Sequence, residues 1–155
     1  MKIIKRLNEK EDLLNAKKSY SLKGAQGQKG FEWTKAKKNL IISNIKNNKE
    51  IIAYRTFSLS ERDWGKLFEK GYTEIGNVNK ELNLSSFTLS RNMMRRFGGG
   101  GEETIRLEIK LNKYIKILDD SVYPEEQEIL TSNLIWEVTG VKDYSQGWFL
   151  EGKQI

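Results

Sequence analysis

The chain has no cysteine and no histidine. The first absence removes disulfides, thiolate nucleophiles and thiolate metal sites. The second removes the Ser-His-Asp triad, the usual zinc ligand sets and the commonest general base near neutral pH. Long apolar runs are missing as well: no stretch approaches the roughly 18 residues that a membrane span needs. Met1 to Leu14 carries charges throughout and has no apolar core of the kind a signal peptide shows. The expected location is cytoplasmic, with no membrane partner. Chemistry must run on carboxylates, hydroxyls, Lys, Arg, Tyr and backbone amides, without a metal.

What is present fits one globular domain. At 155 residues folding buries roughly 70% of the surface that the unfolded chain exposes, enough for a self-sufficient core. The net charge of +6 is unevenly placed, with 13 Lys and Arg against 5 Asp and Glu in residues 1–50, and 14 against 16 in the remainder. A basic front on a near-neutral body suits an anionic partner such as nucleic acid, nucleotide phosphates or an acidic protein face. A solvated, Lys-rich helical surface is the plainer alternative.

Periodicity predicts helices over Leu7 to Tyr20 and Trp33 to Asn48, separated by the glycines of GAQGQKG. That stretch lacks both the GxxxxGK[ST] spacing and a preceding strand, so it reads as a linker and not as a phosphate loop. Ile51 to Tyr54 reads as a buried strand ending at Arg55, and a further helix is expected from Ser58 or Ser60 through Trp64 and Phe68 to Gly71. Short strands follow: Ser86 to Ser90, Thr104 to Leu111 with strict alternation, Tyr114 to Leu118, Glu128 to Leu130, Leu134 to Val141 and Gly147 to Leu150. The expected fold is α+β, a single domain over 1–155. N-terminal helices (1–50, the basic part) precede a strand-rich part (51–155) of two small antiparallel-rich sheets.

Three segments can carry chemistry. Arg55, at the end of an apolar strand, can grip a phosphate or carboxylate in bidentate fashion. The strand Ser85-Ser86-Phe87-Thr88-Leu89-Ser90 sets hydroxyls at alternate positions beside an aromatic, and the four glycines 98–101 can let Arg95, Arg96 and Phe97 close over a ligand. Tyr123-Pro124-Glu125-Glu126-Gln127-Glu128 holds the only proline and leads into Ile129-Leu130. In extended conformation Glu126 and Glu128 would point to the same side. Their proximity would push the two pKa values apart, one acid for charge stabilisation and one for proton handling. Each segment alone is equally an ordinary surface feature.

Taken in order, the three resemble the mono-ADP-ribosyltransferase toxin family, specifically the Arg–Ser–Glu subgroup of bacterial arginine-modifying toxins and their phage relatives. The likeness spans about residues 50–150. It implies an NAD cleft between the two sheets and a glycosyltransferase-class reaction. ADP-ribose would pass from NAD, a consumed substrate, to a macromolecular acceptor, an arginine on a target protein, with release of nicotinamide. By the resemblance, Tyr54-Arg55 is the strand arginine on the NAD phosphates, and Phe87-Thr88-Leu89-Ser90 shapes the nicotinamide-ribose pocket. Thr88 and Ser90 would orient Glu128, which bonds the ribose hydroxyl and stabilises developing positive charge. Glu126 would deprotonate the acceptor, Tyr123 would face the target, and Arg95 and Phe97 would stand in for a mobile loop touching phosphate and nicotinamide. Thr88 and Leu89 depart from the family's serine and threonine.

The chemistry is coherent with this composition. Cleaving a cationic nicotinamide from ribose passes through an oxocarbenium-like transition state, as in glycoside hydrolysis. It needs a carboxylate near the ribose and a cation on the pyrophosphate. Two rivals stand beside the transferase. One is an NAD glycohydrolase with water as acceptor. The other is a non-enzymatic nucleic-acid-binding module using Lys35, Lys37, Lys38, Phe31 and Trp33, although Trp33 with Leu40 and Ile41 reads equally as core. A transferase docking on a nucleic-acid-associated target combines the two ideas.

Overall fold

Helix α1 (Lys2–Leu22) and helix α2 (Lys35–Ser43) precede five strands, β1 (Lys46–Ser58), β2 (Val78–Thr88), β3 (Thr104–Lys116), β4 (Glu128–Tyr144) and β5 (Gly147–Gln154). The computed structural model describes residues 2–22, 32–58, 71, 73–91, 104–117, 127–144 and 147–155. The helix expected up to Gly71 and most of the segment 91–97 lie outside the described residues. None of the described helices is long and apolar enough to cross a membrane.

Local chemistry sets the element ends. Thr34 caps α2, its hydroxyl accepting from Lys37 N at 3.3 Å. The helix stops at Ser43 and not at Asn48, because Asn44 Nδ2 donates to Leu40 O at 2.7 Å and occupies a terminal carbonyl that another turn would need. Ile45 then leads directly into β1.

Two expected strand breaks are joined in the structure. The expected strands 104–111 and 114–118 are joined as far as Lys116 in one strand, β3, with Leu118 outside the described residues. Its irregular point at Asn112 and Lys113 is held by Gln154 Oε1, accepting both backbone N–H groups at 2.9 Å. The segments 128–130 and 134–141 are likewise one strand, β4. There Asn133, at φ 47°, faces Asn83 of β2, at φ 65°, and Asn83 N donates to Asn133 Oδ1 at 3.2 Å. Asparagine tolerates the left-handed region, so the paired bulge bends both strands without ending them.

The strands make one mixed five-stranded sheet, ordered β1-β2-β4-β3-β5, with further ladders β1–β3 and β4–β5. Among the described residues the two separate antiparallel-rich sheets expected are not formed: these added ladders link every described strand into one circuit of pairings, antiparallel except for β3–β5. One core cluster includes Phe87, Ile105, Leu107, Ile109, Leu111, Ile129, Trp136 and Leu150. The alternation read in 105–111 is thus its buried face. A second cluster packs Ala16, Tyr20, Ile41 and Ile45 of the helical part against Ile115, Ile117 and Leu130. Strand β4 is buried on both faces, Ile129 toward one cluster and Leu130 toward the other. Glu128, two residues before Leu130, therefore shares the side that α1 covers.

Candidate active site

Three strands meet on one rung. Tyr54 of β1 pairs with Thr88 of β2, and Thr88 pairs with Glu128, the first residue of β4. The β1–β2 pairing is registered at this one place; elsewhere β1 follows β3 and β2 follows β4. At the meeting point lies a pocket of about 210 Å3, lined by Tyr54, Arg55 and Thr56, by Ser86, Phe87 and Thr88, and by Glu128.

The start of β4 is held from both sides. Leu89 N donates to Gln127 O at 3.2 Å and Ile117 N donates to Glu128 O at 3.0 Å. Gln127 sits at φ 47°, in the left-handed region. The extended 126–128 segment that would place Glu126 and Glu128 on one side therefore does not exist at its middle residue, because a residue at positive φ breaks the period of two. Glu126 and Tyr123 lie outside the described residues, as do Arg95 and Phe97.

The hydroxyl on Glu128 is Ser86's, donating to Oε2 at 2.5 Å. Thr88 was the expected partner, with Ser90. Thr88 is only 4% exposed, and its Oγ1 accepts from Ser90 N at 3.0 Å. Ser90 falls beyond the end of β2, outside the residues that line the pocket. Ser86-Phe87-Thr88 sets hydroxyls on either side of the aromatic, and Ser86 lies two residues ahead of Thr88, the first hydroxyl that the resemblance would set on Glu128. The serine run at 85–86 was the available signal.

Arg55 stands over the Phe87 ring at 5.7 Å from its centroid, a distance at which the ring face attracts a cation. Phe87 is buried in the core, so it fixes the guanidinium laterally. Tyr54 lines the same pocket with its hydroxyl engaged by Glu108 across the β1–β3 ladder, and burial and that carboxylate raise its pKa above the usual phenol value. A cation and a hydrogen-bonded carboxylate thus share one small concavity. This arrangement can hold an anionic group at one end and stabilise positive charge at the other.

A further group, besides Ser86, was not singled out from the sequence. Tyr20, from α1, is 8% exposed, and its hydroxyl is hydrogen-bonded with Ser86 and Glu128. Burial, then the negative charge of Glu128, push its phenol well above the ordinary value. Nothing in the sequence marked it, since Leu13, Ala16 and Tyr20 read as the apolar stripe of a helix. The basic patch is partly internal structure: Lys37 Nζ donates to Ser19 Oγ and to Glu32 O, both at 2.8 Å, and Trp33 packs edge-on against Tyr20 at 5.4 Å. Phe31 lies outside the described residues.

No protein-family model and no curated protein matches the sequence. Solved structures do match. The Clostridium limosum C3 exoenzyme superposes with a TM-score of 0.63 at 16% identity, covering 93% of this chain and 85% of that one. Vis, an ADP-ribosyltransferase toxin of Vibrio splendidus, superposes with a TM-score of 0.58 at 17% identity over 96% of this chain and 73% of its own. C3stau2 of S. aureus, solved with NAD, gives 0.56 at 15% identity over 94% and 87%. The fold is that of the bacterial ADP-ribosyltransferase toxins. On this ADP-ribosyltransferase fold, the pocket joins the arginine strand, the hydroxyl strand and the glutamate strand at their one common rung.

Proposed function

We propose that the chain is a mono-ADP-ribosyltransferase of the arginine-modifying Arg–Ser–Glu type. The observation that carries the reading is the Ser86–Glu128 hydrogen bond in a pocket shared with Arg55. Arg55 binds the NAD pyrophosphate as a planar, permanently charged fork. Glu128 accepts a hydrogen bond from a hydroxyl of the nicotinamide ribose and stabilises the oxocarbenium-like charge at its C1′. Ser86 holds that carboxylate, and Phe87 and Tyr54 wall the ring end. The C1′–N bond breaks with its electron pair leaving on nicotinamide, which departs neutral. A guanidine nitrogen of the acceptor bonds to C1′ and gives its proton to Glu126. Tyr123 faces the target, and Arg95 and Phe97 close on phosphate and nicotinamide.

Arginine as acceptor is supported by the Glu-x-Glu pattern of Glu126 and Glu128 and by the fold neighbour Vis, which was solved in complex with agmatine, a guanidinium compound. The test supplies NAD labelled in its ADP-ribose moiety, with agmatine or a cell lysate as acceptor. Wild type should label both, and Glu126→Gln should lose the labelling while keeping nicotinamide release. Labelling of lysate protein with none on agmatine would contradict the arginine assignment. Nicotinamide release without labelling of either would favour the glycohydrolase.

A further inference from the structure

Ser86 and Glu128 come from two strands, but the third group at their hydrogen bond comes from a helix. Tyr20 lies near the C-terminal end of α1, with Ala16 one turn before it fully buried in the same cluster. That cluster contains Leu130, two residues beyond Glu128, and Leu84, two residues before Ser86, packs against it. The apolar contacts place the ring beside the strand ends that carry the pair. The Trp33 ring meets it edge-on with 71° between planes, and Lys37 Nζ ties α2 to the buried Ser19 of α1 at 2.8 Å. The ring is therefore packed against Trp33 and the cluster that holds Leu130.

A phenylalanine would fill this space as well. The hydroxyl adds a buried polar group, which is costly unless partnered, and its partners are Ser86 and Glu128. A glutamate side chain has three rotatable bonds, and a group that must meet a ribose hydroxyl within a few tenths of an ångström is held best by donors from more than one element. We propose that Tyr20 is a positioning residue. Its hydroxyl braces the Ser86–Glu128 pair from α1, which makes the N-terminal helix part of the unit that cleaves NAD. The inference rests on Glu128 being the carboxylate that acts on the ribose. Among the described residues, the groups that face this carboxylate are Tyr20 from α1, Ser86 from β2 and Arg55 from β1. Since its pKa is raised, the phenol keeps its proton, and so remains a donor, throughout the neutral range.

The test is Tyr20→Phe, which keeps the ring and deletes the oxygen. Nicotinamide release should lose about tenfold in kcat, the size of effect one hydrogen bond to a charged group carries, with KM for NAD unchanged and the thermal midpoint within a few degrees. A purely packing role predicts instead an unchanged kcat in the folded variant, and that result overturns the proposal. A second readout needs no turnover: the hydroxyl proton of Tyr20, assigned by NMR against Tyr20→Phe, should be protected from exchange and should shift in Ser86→Ala and in Glu128→Gln. A resonance unmoved by both changes refutes the brace. Wild type without NAD cleavage would defeat the functional reading alone, leaving the NMR result to decide the hydrogen bonds.

Discussion

Ser86, Glu128 and Arg55 differ in how visibly they stand in the sequence, and the difference is physical. A charged residue at the edge of an apolar run is conspicuous, so Arg55 and Glu128 can be singled out; Glu128 does open β4, whereas β1 runs on through Arg55 to Ser58 instead of ending there. A hydroxyl in a strand is ordinary, and its role depends on which rung it occupies. Antiparallel register puts Thr88 level with Glu128, yet the side chain that reaches Oε2 comes from one period earlier. Ser86→Ala should therefore lower nicotinamide release roughly ten- to a hundredfold, the usual cost of removing an orienting partner. Thr88→Val should stay within a few-fold of wild type. Comparison of the two initial rates at saturating NAD checks the order, and the reverse order would restore the Thr88 assignment. Arg55→Lys keeps the charge and loses the fork, so KM for NAD should rise about tenfold with a smaller change in kcat; steady-state kinetics over a range of NAD concentrations separate the two.

Among the elements, the alternation of 105–111 was legible because one face is fully buried, and period two follows from that burial. Continuity of β3 and β4 was not legible. Polar residues at 112–113 and at 131–133 look like breaks, and only long-range partners (Gln154 in one case, Asn83 in the other) show that the strands run through them. The α2 boundary was misplaced for the converse reason, a side-chain cap at Asn44 inside an otherwise helical pattern. Close packing between elements gives a stability prediction. A Cβ at Gly152 of β5 would lie 2.7 Å from the ring of Trp136, which is buried in the core. Gly152→Ala should cost about 1–3 kcal/mol as overpacking, read as a lower urea midpoint with an unchanged slope. Thr34→Ala removes the α2 cap and should cost about 1 kcal/mol in the same assay.

For the whole molecule, composition and segment order gave the α+β class and the sequence of helical and strand-rich parts. The sheet count did not follow, because the ladders β1–β3 and β3–β5 join strands far apart in sequence and leave no local mark. Uneven charge is a property at this scale. A net +6, concentrated in residues 1–50, raises encounter rates with acidic partners and is screened over about 10 Å at 0.1 M salt. Labelling of lysate proteins should fall as salt rises from about 0.05 to 0.3 M, while nicotinamide release from NAD alone changes far less. Equal sensitivity of the two would remove any role for the basic part in docking.

The proposed function makes Glu128 the group on which NAD cleavage depends. Nicotinamide release by purified wild type and by Glu128→Gln tests it most directly, with circular dichroism showing that both are folded. Wild type should release nicotinamide, and the isosteric variant should fall by at least about a hundredfold, as expected for loss of a charge aimed at the transition state. Release at the wild-type rate from Glu128→Gln, or no release and no NAD binding by wild type, would contradict the account.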